Sequence, residues 1–286
     1  VCFVIDGGTN LVTSNSGTCT AKYKMSLKDY DSSLVGYWDM ETTTGGLLKD
    51  LSGNGNNGTG SGGVIIGGTG GRVGNATLFN SGSKDCFEIL DSNILDLNGK
   101  FTISVIVNFL GNLANGDMEI LSKTKGSASA IIFEPYRFGI GYMSGQYISP
   151  TTNFIDNGNF YTKGTTISNN DGTNNGFLSI VQSGSYIPYV YERDIFRQSM
   201  NYISNQFINI TISYNYGINK IYFNGNLLMS YNGINKDIWN SDGSLLIGKR
   251  GGTASGIFNG TIDDIKIYNR ALSDQEIAQQ SKIAGF

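Results

Sequence analysis

Residues 258–277 constrain the fold most, because they read as one strand running directly into one short helix. Ile265 and Ile267 fall on one side of a period-two pattern, and Lys266 and Tyr268 fall on the other. Ile262 is out of phase with that pair, which predicts a bulge at the intervening Asp263 and Asp264. Two adjacent carboxylates at such a break are costly to bury without a cation. Ser273-Asp-Gln-Glu276 then forms a capping box, with Leu272 and Ile277 at the staple positions of a short helix.

The same alternation recurs upstream. Phe101, Ile103, Val105, Val107 and Phe109 alternate with Thr102, Ser104, Ile106 and Asn108, and Ile208, Ile210, Ile212 and Tyr214 alternate with polar residues. "EILSKTK", "AIIFEPYRFGIGYM" and "SLLIGKR" also read as strands, and Asn224-Gly225 suits a type I′ hairpin turn. Forty glycines and three prolines fit many short strands joined by turns, and 39% hydrophobic residues argue for a folded chain. The 286 residues allow one large all-β domain or two small ones.

A net charge of −3 with no basic run gives no electrostatic reason to bind nucleic acid or an anionic membrane. No apolar span is long enough to cross a bilayer. The chain starts at Val1 without Met or a signal peptide, and is expected to be a mature product or a fragment. Three cysteines leave one unpaired in any scheme. Cys2 and Cys19 enclose a Gly/Ser/Thr/Asn-rich loop and are the natural pair, implying an oxidising, exported setting, while Cys86 beside Phe87 reads as a buried free thiol. Histidine is absent, which removes the commonest general base and metal ligand.

The loop from Asp50 to Gly58 is rich in oxygen donors. Asp50 offers a carboxylate, Ser52, Asn54 and Asn56 offer neutral oxygens, and the glycines let carbonyls turn inward. That is hard-cation chemistry of the kind calcium requires, although no acidic residue closes the loop as in an EF-hand. The alternative is a glycine-rich turn whose Asx side chains cap their own backbone.

"GTIDDIKIYNRALSDQEI" and "LVGYWDMETTTGGLLKDLSGNGNNGT" together resemble the closing and opening segments of laminin G-like domains of the concanavalin A-like superfamily. "GRVGNATLFN" and "KIYFNGNLL" are similar to intermediate motifs of those domains, whereas "FINITIS" places Phe207 where they usually carry tryptophan. The resemblance covers roughly residues 31–277. It implies an all-β, antiparallel two-sheet jelly-roll sandwich with a short C-terminal helix; residues 1–30 stand outside it as a Cys-bearing lead-in, and the stretch near 144–205 departs from it as a Tyr/Asn-rich insert. It also implies a calcium ion shared by Asp50 and Asp263, with Asn54, Asn56 and Asp264 as further ligands.

Domains of this kind are mostly non-catalytic modules that bind glycan or protein outside the cell. In the insert, Tyr142, Tyr147, Tyr161, Tyr186, Tyr189 and Tyr191 interleave with amides, a composition that suits sugar rings, a protein–protein surface, or additional core strands. The opening segment after a short Cys-bearing lead-in is also similar to bacterial pilin-like surface proteins. A structural head or subunit of a surface appendage, self-assembling with like subunits, is therefore the second expectation. Lys in excess of Arg with abundant Asn and Ile favours a microbial source. Catalysis is not expected: Glu192-Arg-Asp194-Ile-Phe-Arg197 has Arg197 where a laminarinase-like pattern needs its second glutamate. "GGTGGRVG" lacks the following Lys-Ser/Thr of a phosphate loop, and the sequons at Asn57, Asn75, Asn209 and Asn259 are unremarkable in an Asn-rich chain.

Overall fold

The computed structural model describes residues 2–6, 10–14, 31–97, 99–110, 116–125, 133–142, 151–156, 159–164, 177–180, 206–216, 218–232, 242–249 and 257–286. Two eight-stranded antiparallel sheets form the body. The first runs β18 (Asn226–Asn232), β17 (Ile218–Phe223), β16 (Phe207–Asn215), β10 (Lys100–Phe109), β20 (Gly260–Tyr268), β8 (Asn75–Phe79) and β7 (Ile65–Gly70), with β3 (Leu34–Trp38) also paired to β20. The second runs β15 (Phe177–Ile180), β12 (Phe133–Tyr142), β11 (Gly116–Lys125), β19 (Leu245–Ile247), β9 (Cys86–Ile89), β6 (Gly58–Ser61), β5 (Leu47–Leu48) and β4 (Thr43–Thr44). Two hairpins, β1 (Cys2–Asp6) with β2 (Asn10–Ser14) and β13 (Thr151–Asp156) with β14 (Asn159–Gly164), pair within themselves.

The inward residues of both sheets meet in one core. Ile103, Val105 and Val107 of β10, Ile210 and Ile212 of β16, and Ile265 and Ile267 of β20 face Phe87 and Ile89 of β9, Leu121 of β11 and Leu245 and Ile247 of β19. Phe79, Phe87, Phe109 and Phe258 pack edge-on through the centre, at centroid separations from 5.5 to 6.0 Å. Complete burial of side chains of this size stabilises the fold by roughly 1.5–3 kcal/mol each. The architecture is the expected concanavalin A-like sandwich.

The central strand of the first sheet carries the anticipated irregularity. Val105 pairs with Ile265 and Val107 with Ile262, so Asp263 and Asp264 together oppose the single residue Ile106. The extra residue restores the phase, and Ile262, Ile265 and Ile267 are all fully buried. At the far end of the sheet, Asn224 (φ 48°) and Gly225 (φ 77°) form the two-residue turn between β17 and β18.

Among the described residues one α-helix, α1 (Asp274–Ile283), is present, and it follows β20. The Ser273 hydroxyl accepts from the Glu276 backbone, the Glu276 side chain accepts from the Ser273 backbone, and the capping box is complete. Leu272 and Ile277 join Leu34, Tyr222 and Tyr268 in a smaller cluster distinct from the main core.

A buried Lys123 on β11 bonds Asp91 and the Gly243 carbonyl and lies 3.4 Å from Asp96, tying three segments of the second sheet together. Cys86 is buried and free, with its sulfur 2.9 Å from the Ser61 hydroxyl. Cys19 lies outside the described residues, and so does the expected Cys2–Cys19 pair. Tyr147, Tyr186, Tyr189, Tyr191, Glu192 and Asp194 also lie outside them. Tyr142 ends β12 and Tyr161 lies in β14, with only their backbones described.

Candidate cation site at the closing strand

The five residues expected to share a calcium ion sit in three different hydrogen-bonding environments. Asp50 is almost fully buried, and its two oxygens accept from the backbone N–H groups of Tyr37 (3.1 Å), Ser52 (2.9 Å) and Asn56 (2.9 Å). The Asn54 amide donates to the carbonyls of Leu34 and Val35, and the Asn56 amide donates to Val35. The Asn56 carbonyl accepts from the buried Trp38 indole at 2.8 Å. The oxygen-rich loop thus caps its own backbone and props β3 from below, which was the alternative reading of its sequence.

Asp264 is already compensated. One oxygen accepts from the Tyr37 hydroxyl at 3.1 Å, and the other pairs with Lys266 Nζ at 2.8 Å. The same ammonium lies 4.6 Å from the Tyr37 ring centroid. Burial, reinforced by the neighbouring Asp264 charge, holds the Tyr37 phenol far above its ordinary range.

Asp263 differs from both. It has no solvent exposure, and its Oδ2 accepts from the backbone N–H groups of Arg72 (2.6 Å) and Val73 (2.9 Å). Its Oδ1 is buried and has no hydrogen-bond partner among the described residues. Burial raises the carboxyl most, the two N–H bonds pull it back, and the Asp264 and Glu41 charges raise it, which together leave it at about 6. This is the signature of a carboxylate short of positive charge.

The turn that meets Asp263 is the Gly71-Arg72-Val73-Gly74 link between β7 and β8, closed by a bond from Gly71 N to the Gly74 carbonyl at 3.0 Å. Both glycines are required by close approach. A Cβ on Gly71 would lie 2.7 Å from Asp263 Oδ2, and one on Gly74 would lie 2.7 Å from Glu41 Oε1. Glu41 accepts from Asn75 N at 2.8 Å, so two carboxylates grip the same turn from either side. Glu41 is itself placed by a tight bend after β3, where Met40 has φ 58° and Asp39 accepts from the N–H groups of Glu41 and Thr42. Sequence reasoning missed Glu41 and this turn. The signal available was the "GRVG" glycine pair and the acid ending "VGYWDME".

Among the described residues, no group of three or more His, Cys, Asp or Glu side chains is placed to hold a metal ion. A cation here would need backbone carbonyl or water oxygens beside Asp263. The unpartnered Oδ1 fits such an ion, whereas the Asp50 and Asp264 oxygens are already occupied.

A shallow groove lies on the outer face of the first sheet, between the β16–β17 hairpin and the start of α1. Ser213, Asn215, Ile218 and Lys220 line one side, and Leu272, Ser273, Asp274 and Gln275 line the other. Its carboxylates are engaged. Asp274 accepts from Lys220 (2.7 Å) and the Tyr222 hydroxyl (2.8 Å), which lowers its pKa. The Arg270 guanidinium holds Glu276 down to about 2. Next to the groove, Tyr216 is held in a left-handed conformation (φ 43°), with Lys100 Nζ 5.2 Å from its ring centroid.

Residues 149–278 match the Laminin_G_3 family model, described as the concanavalin A-like lectin/glucanases superfamily. The model names the superfamily that the closing motif resembles, and the match takes in that motif but not the opening one. No curated protein matches the chain. Domain 4 of AbnA, a GH43 extracellular arabinanase from Geobacillus stearothermophilus in complex with arabinotriose, superposes with a TM-score of 0.51 at 17% identity, over 87% of this chain and 98% of that one. The binding domain of botulinum neurotoxin DC in complex with SialylT gives 0.50 at 14% identity, over 89% of this chain. Trypanosoma rangeli sialidase in complex with sialic acid gives 0.51 at 12% identity, over 87% of this chain. The chain spans 52% of the toxin binding domain and 33% of the sialidase. Likeness at these identities is likeness of fold.

Proposed function

We propose that this chain is a non-catalytic module that binds glycan or protein outside the cell and is steadied by one calcium ion. The observation that carries the calcium reading is the unpartnered Oδ1 of the fully buried Asp263 beside the Gly71–Gly74 turn. Asp263 would hold the ion first, with Glu41 supplying further negative charge from the other side of the turn. Bound calcium would supply the positive charge that Asp263 lacks. Asp50, Asn54 and Asn56 would then serve by fixing β3, and Asp264 by anchoring Lys266 and Tyr37.

The binding reading is supported by the fold and by what its structural neighbours are described as doing: one is bound to arabinotriose, one to SialylT, and a related neurotoxin DC binding domain to rat synaptotagmin II. The Tyr-rich insert, with Tyr142, Tyr147, Tyr161, Tyr186, Tyr189 and Tyr191, and the groove beside Tyr216 are the surfaces proposed for the ligand. A hydrolytic role is disfavoured by the groove's own chemistry, because Asp274 and Glu276 are both held ionised by cationic partners and neither is poised to give up a proton at neutral pH. Among the described residues no helix is long and apolar enough to cross a membrane.

A broad glycan array, run once in calcium and once in chelator, tests this reading. Selective binding lost in chelator supports a lectin-like module. Silence in both overturns the glycan reading and favours protein adhesion or the self-assembling, pilin-like bacterial appendage, whose mark is concentration-dependent assembly.

A further inference from the structure

The segment that follows α1 is folded back onto the turn that grips Asp263. Three bonds close the end of the helix: Ala284 N to the Gln280 carbonyl, Gly285 N to Lys282, and Phe286 N to Ser281, at 3.0 to 3.1 Å. With Gly285 at φ 85°, the last two are the paired bonds of a Schellman motif. This motif aims the next residue sideways instead of onward. The Phe286 ring consequently lies 4.7 Å from the Arg72 guanidinium carbon, and Arg72 Nε donates to the Ala284 carbonyl at 3.2 Å. Gly285 is needed for space as well as for its backbone angle, since a Cβ there would come within 3.0 Å of the Arg72 guanidinium.

Arg72 therefore makes two connections at once. Its side chain is held by Ala284–Phe286, and its backbone N–H is the shortest bond to Asp263, at 2.6 Å. Its guanidinium is committed to the tail, and among the described residues it forms no ion pair with Asp263. The tail thus helps fix where the Arg72 and Val73 N–H groups point, and with them the orientation of the Asp263 carboxylate.

We propose that Ala284–Phe286 is a positioning latch for the cation site, with Arg72 as the positioning residue that couples them. This inference rests on the calcium reading of Asp263. Because coupling between two sites is reciprocal, bound calcium would hold the latch closed to the same degree that the closed latch tightens calcium binding.

Calorimetric titration with calcium alone tests the latch on the full chain, comparing wild type with Arg72→Ala, Phe286→Ala, the double variant and Phe286→Trp. A partly exposed cation–π contact corresponds to about a two- to fivefold change in an equilibrium constant. Phe286→Ala and Arg72→Ala are each expected to weaken calcium by that factor, the double variant by no more than either alone, and Phe286→Trp to restore wild-type affinity. A merely structural tail would lower the melting temperature equally in calcium and chelator while leaving the calcium Kd unchanged, and that result overturns the latch. If wild type itself takes up no calcium, the cation reading fails first and the latch fails with it. Uptake by wild type with equal affinity in Phe286→Ala defeats the latch alone.

Discussion

Asp263 and Arg72 lie 191 positions apart in the chain and are joined by a 2.6 Å bond from the Arg72 backbone N–H to the Asp263 carboxylate. That bond links the central strand of one sheet to the turn at the sheet's other end. It leaves the second oxygen of Asp263 buried and without a partner among the described residues.

Asp50→Ala is expected to destabilise the protein whether or not calcium is present. Three backbone donors would lose their acceptor, and a buried donor left unpaired costs about 1–3 kcal/mol. Chemical denaturation in calcium and in chelator should return the same loss. A loss confined to calcium would place Asp50 on the ion.

Gly71→Ala should weaken any calcium effect without unfolding the domain. The added Cβ would sit 2.7 Å from Asp263 Oδ2 and displace the carboxylate. Thermal melts in rising calcium would show a smaller calcium-dependent shift than wild type. An unchanged shift would mean the turn does not set the site.

Glu276 sets an acid limit on stability. Its folded value is about 2 against an ordinary 4.5, chiefly because Arg270 bonds it, so its contribution is present above pH 4.5 and is lost as the pH falls toward 2. The side chain is 42% exposed, and screening limits the effect to about 1 kcal/mol or less. Glu276→Gln keeps a capping side chain and removes the charge. Melting temperature against pH should lose part of its acid slope in this variant and keep its neutral value nearly unchanged.

Lys123→Met tests the second sheet. The buried ammonium bonds Asp91 and lies beside Asp96, and removing one member of a buried ion cluster costs about 3–5 kcal/mol. Equilibrium denaturation should show a loss near the lower figure, because Asp91 is 31% exposed. A change below about 1 kcal/mol would mean water already solvates the cluster.

The sheet skeleton was legible because its signals are local. The phase slip at Ile262, the alternation from Phe101 to Phe109, the Asn224-Gly225 turn and the Ser273–Glu276 box each specify one conformation from neighbouring residues. The cation site was only half legible. Asp263 stood out as a carboxylate at a strand break, but Glu41 and the Gly71–Gly74 turn are brought to it by sheet pairing between residues far apart in the chain. The Asp50–Gly58 loop read as a ligand set for a physical reason too. Oxygens that can coordinate a cation are the same oxygens that cap backbone N–H groups, and composition does not distinguish the two uses. Alternation does place Asp264 and Lys266 on one face of the strand, so their pairing was open to a period-two reading that the search for a shared cation passed over.

Thermal melting of wild type and Asp263→Asn, each in chelator and in excess calcium, tests the central claim most directly. A ligand at a hundredfold excess over its Kd stabilises by about 2.7 kcal/mol. Wild type is predicted to melt several degrees higher in calcium, and Asp263→Asn to melt at the same temperature in both. A wild-type protein indifferent to calcium, or an Asp263→Asn variant that gains as much as wild type, would contradict the assignment.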